Sequence, residues 1–200
     1  METRLLLLVL FWSLPAQAQM PDWNTVVNYA VQSGESTWRK VQAHSGDLSS
    51  REIFRYALVL CESGQYLNRL PALFQVAHQM QERDPQNRGY GNFYWRTSEN
   101  TVRDYNAVEF CMQSAALIWL RHQHNLPDTT RSSLKQMLDL AIEGCLRHGV
   151  RESYTNIALM NASNLILLGE SFNRPKVADE GYRRLELAAL YTWQYGTHEY

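Results

Sequence analysis

The sequence predicts an all-α fold, and three observations support this class. Apolar residues recur at helical spacing along most of the chain, and no stretch shows the apolar–polar alternation that is typical of a strand. Residue types that favour helix starts and ends stand at the boundaries of the periodic segments. These segments also differ in how much of their circumference is apolar, which predicts more than one layer of helices.

Local signals place the ends of several predicted helices. Ser49 and Glu52 have the spacing of a capping box, and Asp104 is a residue type that caps helix N-termini. Gly149 follows a basic turn, as a C-terminal glycine does, and Pro175 lies in a first turn, where proline is tolerated. The predicted helices span residues 22–33, 50–62, 66–83, 104–124, 128–148, 155–170 and 175–195.

The last four predicted helices are of two kinds. Segments 104–121 and 155–169 are apolar on nearly every side, which predicts burial on every side, whereas 128–148 and 175–195 are amphipathic. The predicted solvent side of the last helix carries Lys176, Asp179, Glu180, Arg183, Arg184 and Glu186. This alternation predicts a two-layer array of antiparallel helical hairpins repeating about every 50 residues, as in an α/α toroid or an α-solenoid.

Composition and charge argue against several function classes. The chain has 19 basic and 20 acidic residues and no Lys/Arg cluster, which disfavours nucleic-acid binding. Cys61, Cys111 and Cys145 stand in apolar helical contexts, so we expect buried thiols rather than a disulfide. Because no histidines or cysteines have metal-ligand spacing and no phosphate-loop motif is present, we predict neither a metal nor a cofactor.

The N-terminus predicts export. Arg4 precedes the unbroken apolar run 5–12, and Ala16-Gln17-Ala18 is a typical cleavage site, so residues 1–18 are a predicted signal peptide. The apolar run is too short to span a bilayer, which needs about 20 residues. We therefore expect a mature domain over 19–200, periplasmic or secreted, without stable membrane insertion after cleavage.

Polar residues interrupt the two helices that are predicted to be buried. Asn106, Glu109 and Gln113 share one stripe at spacings of three and four residues, and Asn161 and Asn164 are three residues apart. Two interpretations compete, because unpartnered buried polar groups are costly. The side chains form a satisfied network between helices, or the stripe faces a water-filled central cavity.

Three loops rich in polar and aromatic residues each precede a predicted inner helix position. They cover residues 88–95, 151–156 and 196–200. In a layered hairpin array all such connections lie at one end, so we expect these loops to form one binding mouth. The candidate substrate-binding residues there are Tyr90, Tyr94, Trp95, Asn106 and Arg151.

On the layer alternation and the Tyr154-Thr155-Asn156 and His198-Glu199-Tyr200 segments, the chain resembles the N-terminal half of an exported (α/α)6 toroid. Polysaccharide lyases and inverting glycoside hydrolases have this architecture. For a lyase, the resemblance implies that Asn156 holds the uronate carboxylate and that Tyr154 or Tyr200 acts with His198 as base and acid.

For a hydrolase, the same resemblance implies a pair of carboxylates, Glu109 with Glu199 or Asp104. The leading expectation is thus a carbohydrate-active enzyme with a polysaccharide or oligosaccharide partner. The alternative is a non-catalytic helical binding or scaffold protein outside the cytoplasm. Because about three hairpins make half of such a ring, we expect the domain to be incomplete at its C-terminus.

Overall fold

A computed structural model of the chain describes residues 22–197, and this range is all-α, as predicted. It contains no strand and seven α-helices: α1 (Trp23–Gln42), α2 (Ser50–Ser63), α3 (Leu70–Gln79), α4 (Ala107–His122), α5 (Asp128–Arg147), α6 (Thr155–Ser171) and α7 (Pro175–Tyr195). The predicted signal peptide (1–18) and the candidate residues His198, Glu199 and Tyr200 lie outside the described residues.

The boundaries of α5, α6 and α7 agree closely with the predicted ones, but α1 is longer than predicted. It continues through Gly34 to Gln42, although glycine is a poor helix former. A Cβ at Gly34 would overlap the Tyr56 ring of α2. The glycine therefore lets α1 and α2 approach closely, and this packing outweighs helix propensity.

Two predicted N-terminal caps are wrong for local reasons, although α2 begins at residue 50 as predicted. Asp104 does not cap α4 directly, because its Oδ1 accepts from the Asn106 amide at 2.9 Å and forms a turn before the helix begins at Ala107. Ser49 is the N-cap of α2, but its side chain makes no capping hydrogen bond among the described residues. The predicted capping box is therefore not formed.

The helix predicted over 66–83 is shorter in the structure, where α3 ends at Gln79. The residues after Gln79 belong to the long connection between α3 and α4. Gln81 pairs with Phe93 in an isolated β-bridge through its backbone. The side-chain amide of Gln81 donates to the Gly91 carbonyl at 3.2 Å and to the Met137 carbonyl at 2.9 Å. A Cβ at Gly144 of α5 would lie 2.7 Å from the Gly91 carbonyl carbon. The connection is thus packed directly on α5, backbone against backbone.

The core is centred on α4, which packs against α2, α5 and α6. Phe54 of α2 lies between Phe74 of α3 and Phe93 of the connection, with ring centroids 6.4 and 5.4 Å away. Burial extends along most of α4 and α6, whereas α5 and α7 expose one side to solvent. This burial agrees with the predicted alternation of helix types, while the toroid stays a prediction.

Small residues bring α6 and α7 into close contact. A Cβ at Gly169 would lie 2.8 Å from Ala178 Cα, and one at Gly181 would lie 2.7 Å from the Ile166 amide nitrogen. Ala188 is also buried in this helix pair. Because small residues fill the contact side of α7, most of its large apolar side chains point elsewhere.

In the range 22–197, no helix has both the length and the apolar character that crossing a membrane requires.

We predict that Gly169→Ala destabilises the protein although alanine favours helix formation. The added methyl group has no room against the backbone of α7, so the free energy of unfolding should fall by about 1–3 kcal/mol. Gly149→Ala is the control, because a Cβ there meets nothing within 4 Å. Urea unfolding checks both, and a Gly169→Ala protein as stable as the wild type would contradict the close contact.

Candidate functional site

The centre of the candidate site is Glu109, whose carboxylate is fully buried in the first turn of α4. Its Oε1 accepts a hydrogen bond from the Asn161 amide of α6 at 2.7 Å and lies 3.0 Å from Nδ1 of His148, just after α5. The Asn161 amide also donates to the Cys145 carbonyl at 2.9 Å. Glu109 therefore ties the first turn of α4 to the end of α5 and to the body of α6.

Arg184 of α7 completes this cluster from the other side. Its Nη1 donates to Asn161 Oδ1 at 2.7 Å and to the Cys145 carbonyl at 3.0 Å, and its Nη2 donates to the Leu146 carbonyl at 3.0 Å. The last carbonyls of a helix have no partner within the helix and attract cations. Arg184 thus caps α5 from a neighbouring helix, and its predicted place on the solvent side is wrong.

Glu180 holds Arg184 in this position. One turn earlier on α7, its Oε1 accepts from Arg184 Nε at 2.7 Å, and its two oxygens also accept from Arg183. The hydrogen bonds from Arg183, followed by those from Arg184, lower the pKa of Glu180 from 4.5 to about 2. The Arg184 guanidinium therefore meets a carboxylate on α7 and carbonyl oxygens on α5.

The two interpretations of the buried polar residues can be compared with these contacts. Asn161 and Asn164 are buried and hydrogen-bonded, Asn164 through a 3.1 Å bond to the Glu109 carbonyl. Gln113 is exposed and Asn106 is half-buried, whereas Glu109 is inaccessible. The expected stripe of three residues is therefore split between interior and surface, because only Glu109 points towards α5 and α6.

One oxygen of Glu109 stays unsatisfied. Oε2 is buried and has no hydrogen-bond partner within the described part of the chain. General acid–base catalysis needs the group within hydrogen-bond reach of the substrate, about 3 Å. With none of its surface exposed, the Glu109 carboxylate does not meet this requirement in the conformation described.

A small cavity lies beside the cluster, on the far side of Asn161. It has a volume of about 150 Å³ and is lined by Gly149, Val150, Glu152, Ala158, Asn161, Arg183, Arg184 and Leu187. Ligand pockets for small molecules usually measure about 300–1,000 Å³. The cavity therefore has room for a small ion or a few water molecules, but not for a sugar chain.

The predicted aromatic residues of the α3–α4 connection pack within the protein. The Arg147 guanidinium lies 4.6 Å from the centroid of the Tyr90 ring, and the Tyr94 hydroxyl donates to Glu82 at 3.3 Å. Trp95 makes an edge contact with Phe110 at 5.6 Å. All three predicted aromatics are half-buried, so each offers part of its ring to solvent.

The other predicted residues stand at the same end of the helices but do not join the cluster. Tyr154 is the exposed residue before α6, Arg151 is exposed, and Asn156 is half-buried with its Oδ1 accepting from the Ile157 amide at 2.7 Å. The backbone amide of Asn106 donates to Asp104, as described above. The loop at 88–95 does reach the end of α5, because Tyr90 contacts Arg147.

The three cysteines are free and buried, as expected. Burial raises the pKa of the Cys111 thiol to about 12 and that of Cys145 well above its ordinary value. A thiol nucleophile reacts as the thiolate, which these surroundings suppress. Among residues 22–197, no group of three or more His, Cys, Asp or Glu residues is placed to hold a metal ion.

Sequence reasoning missed His148 and Arg184. His148 stands in a basic helix end, where a charge–dipole contact is the expected role, and its carboxylate partner is 39 positions away in sequence. Arg184 follows Glu180 by four residues, a spacing that indicates a surface ion pair. That pair is present, but nothing local to α7 indicates the carbonyl oxygens of α5.

Comparison with known protein families, curated proteins and solved structures finds no match to this chain. The resemblance to a toroid therefore stays a prediction from the helix pattern.

We predict that Arg184→Ala and Arg183→Ala differ sharply although the two residues are adjacent. Loss of Arg184 leaves the ends of α5 and Asn161 without their donors, which should lower the free energy of unfolding by about 3 kcal/mol. Loss of the exposed Arg183 removes its ion pair with Glu180 and should cost no more than about 1 kcal/mol. Chemical denaturation of both variants checks this, and equal effects would refute the capping role of Arg184.

We also predict a contribution of Glu180 to acid stability. Because its pKa is about 2 in the fold, against 4.5 ordinarily, its contribution is present above pH 4.5 and is lost as the pH falls towards 2. Glu180→Gln should therefore be less stable than the wild type at neutral pH, and this difference should shrink over that interval. Thermal unfolding at several pH values measures it, with Glu186→Gln as the control on the same helix.

Proposed function

We propose that the chain is a non-catalytic helical binding or scaffold protein. The observation that carries this proposal is an exposed apolar surface on α6 and α7, which we call the α6–α7 flank. The flank consists of Leu159, Ser163, Tyr182, Leu185, Ala189 and Trp193. Contiguous apolar surface of this kind is typical of protein interaction sites.

The exposure of individual side chains supports this surface as a binding site. Trp193 is 92% exposed, Tyr182 51% and Leu159 42%. Tryptophan and tyrosine are the residue types that most often dominate the energy of protein interfaces. Their exposure on a rigid helix pair favours recognition over a role in the core.

The buried carboxylate cluster supports the same proposal by what it does for the fold. Glu109, Asn161 and Arg184 bond to one another or to helix ends, and the cavity beside them is small. A binding protein needs these groups only for stability. An enzyme with Glu109 as acid or base would need a conformation that opens α4 to substrate.

An exported carbohydrate-active enzyme on an (α/α)6 toroid is the second candidate. It is favoured by the position of the half-buried Tyr90 and the exposed Arg151 and Tyr154, which follow or contact the same end of α5. Under this proposal these side chains would line a sugar-binding mouth.

Activity assays on the full chain separate the two candidates. A lyase releases unsaturated uronate products from alginate or glycosaminoglycan, which are detected by ultraviolet absorbance, and a hydrolase releases reducing ends from neutral glycans. We expect neither product. Turnover that is lost in a folded Glu109→Gln protein but retained in Gln113→Ala would overturn the binding-protein proposal and assign catalysis to Glu109.

We predict that Glu109→Ala lowers the stability of the protein but leaves the α6–α7 flank, the proposed binding surface, in place. The substitution removes the acceptor for Asn161 and His148 and leaves a cavity, so the free energy of unfolding should fall by about 3 kcal/mol. Gln113→Ala, on the exposed side of the same helix, should be close to neutral. Denaturant titrations of both variants test this, and a stable Glu109→Ala protein would show that the cluster is not structural.

A further inference from the structure

We infer that a cleft between α1 and α2 binds a small hydroxylated phosphate monoester, such as a sugar phosphate. The α6–α7 flank takes no part in this site, so the inference goes beyond the proposed binding function. It depends on the size of the cleft, on the positive charges around it and on the hydroxyl groups that line it.

The cleft has the size of a small-molecule site. Its volume is about 400 Å³, and ligand pockets usually measure about 300–1,000 Å³. Gly34 and Tyr56, through which α1 and α2 approach each other, both lie in its wall. The cleft is therefore part of a close helix contact, and it has room for an organic molecule.

Three cationic side chains from three separate elements line the cleft. They are Lys40 of α1, Arg55 of α2 and Arg96 of the connection between α3 and α4. Glu52 is the only carboxylate among the described residues of the wall. The wall thus has a net positive charge although the whole chain has a formal net charge of −1. An anion is the ligand that such a wall attracts.

The protein itself neutralises these cations only in part. Lys40 Nζ donates to the backbone carbonyl of Asp47 at 3.1 Å, and Arg96 Nε lies 4.0 Å from Asp47 Oδ2, the outer limit of an ion pair. Arg55 makes no hydrogen bond or ion pair within the described part of the chain. Burial, followed by the positive charge of Arg55, lowers the pKa of Arg51. Donors are therefore left over for an anion.

The backbone holds Arg96 beside the start of α2. Ser49 and Arg96 pair in an isolated β-bridge, and the Ser50 amide donates to the Trp95 carbonyl at 3.3 Å. A site whose parts are already in place loses less conformational freedom when the ligand binds. The connection thus contributes one of the three cations at a fixed position of the chain.

A phosphate group suits this arrangement better than a carboxylate does. A phosphate monoester has a charge of about −2 at neutral pH and three strong acceptor oxygens, so each cation can meet an oxygen of its own. A carboxylate has one charge and two oxygens. The planar donors of arginine also match the geometry of phosphate.

Hydroxyl groups in the cleft indicate the nature of the rest of the ligand. Ser33, Ser36 and Thr37 of α1 line the same cavity. The Ser33 hydroxyl donates to the Ala30 carbonyl at 3.3 Å, and its oxygen can still accept. An inorganic phosphate ion is only a few times larger than a water molecule, which takes about 30 Å³ in the liquid. It would leave much of the cleft to water, whereas a sugar phosphate fills it and meets these hydroxyls.

The test is calorimetric titration of the full chain, in a buffer of low ionic strength, with three sugars that differ only at the sixth carbon atom. They are glucose 6-phosphate, glucuronate and glucose. We expect glucose 6-phosphate to bind most tightly, glucuronate to bind at least about tenfold more weakly, and glucose to give no measurable heat. No binding of glucose 6-phosphate at millimolar concentration, or equal binding of glucuronate, would overturn the inference.

Two variants of the wall should change the affinity in opposite directions. Arg55→Gln removes a charge-assisted contact and should weaken the binding of glucose 6-phosphate about tenfold or more. Glu52→Gln removes the carboxylate that repels the phosphate and should tighten binding about threefold. Such a gain in affinity cannot come from damage to the fold. Unchanged affinity in Arg55→Gln, or weaker binding by Glu52→Gln, would contradict the site.

Arg103→Gln is the matched control, because Arg103 is an exposed arginine outside the wall of the cleft. Its affinity for glucose 6-phosphate should equal that of the wild type, and circular dichroism shows whether each variant keeps its helices. Equal losses in Arg55→Gln and Arg103→Gln would show general attraction of anions and overturn the inference. That result leaves the binding-protein proposal standing, since the α6–α7 flank is formed by other helices.

Discussion

The fold depends most on the interaction of Arg184 with the end of α5. A guanidinium from α7 donates to carbonyl oxygens of α5 and to the side chain of Asn161 on α6. Asn161 in turn donates to Glu109, so a positive charge and a buried carboxylate are joined through one amide. An isolated carboxylate inside a protein is costly, and this arrangement lowers that cost by supplying hydrogen bonds to Oε1 of Glu109 and a positive charge nearby. Four helices thereby share one polar junction.

The same helix pair explains why the protein has an apolar surface. Gly169, Ala178 and Gly181 bring α6 and α7 so close that larger side chains do not fit between them. Leu185 and Trp193 are therefore turned towards solvent, although their residue types are typical of a core. The close packing of α6 against α7 through small residues therefore also accounts for the exposure of the large apolar side chains. The same helix contact thus stabilises the hairpin and provides the surface that we propose for binding.

The sequence predicts the helices well because their signals are local. The apolar pattern identifies α4 to α7 to within a few residues, and Pro175 marks the first residue of α7. The polar junction is less predictable, because its contacts join residues that are far apart in sequence. The spacing of Glu180 and Arg184 predicts a surface pair, and only tertiary structure brings Arg184 to α5. His148 is similar, since its partner Glu109 comes from another helix. The toroid and the site at its mouth stay predictions, because the apolar pattern constrains which helices are buried but not whether the helices close into a ring.

The connection between α3 and α4 has a consequence for the order of folding. Gln81 binds the carbonyl of Met137, a contact that spans 56 positions of the chain, and Gly91 rests on the backbone of α5 at Gly144. Contacts of such long range form late, because the intervening chain loses much of its freedom before they form. The connection therefore acquires its native shape only after α5 has docked. During synthesis it stays unlocked until the polypeptide has emerged beyond Arg147, so Tyr90 lacks its contact with the end of α5 until then.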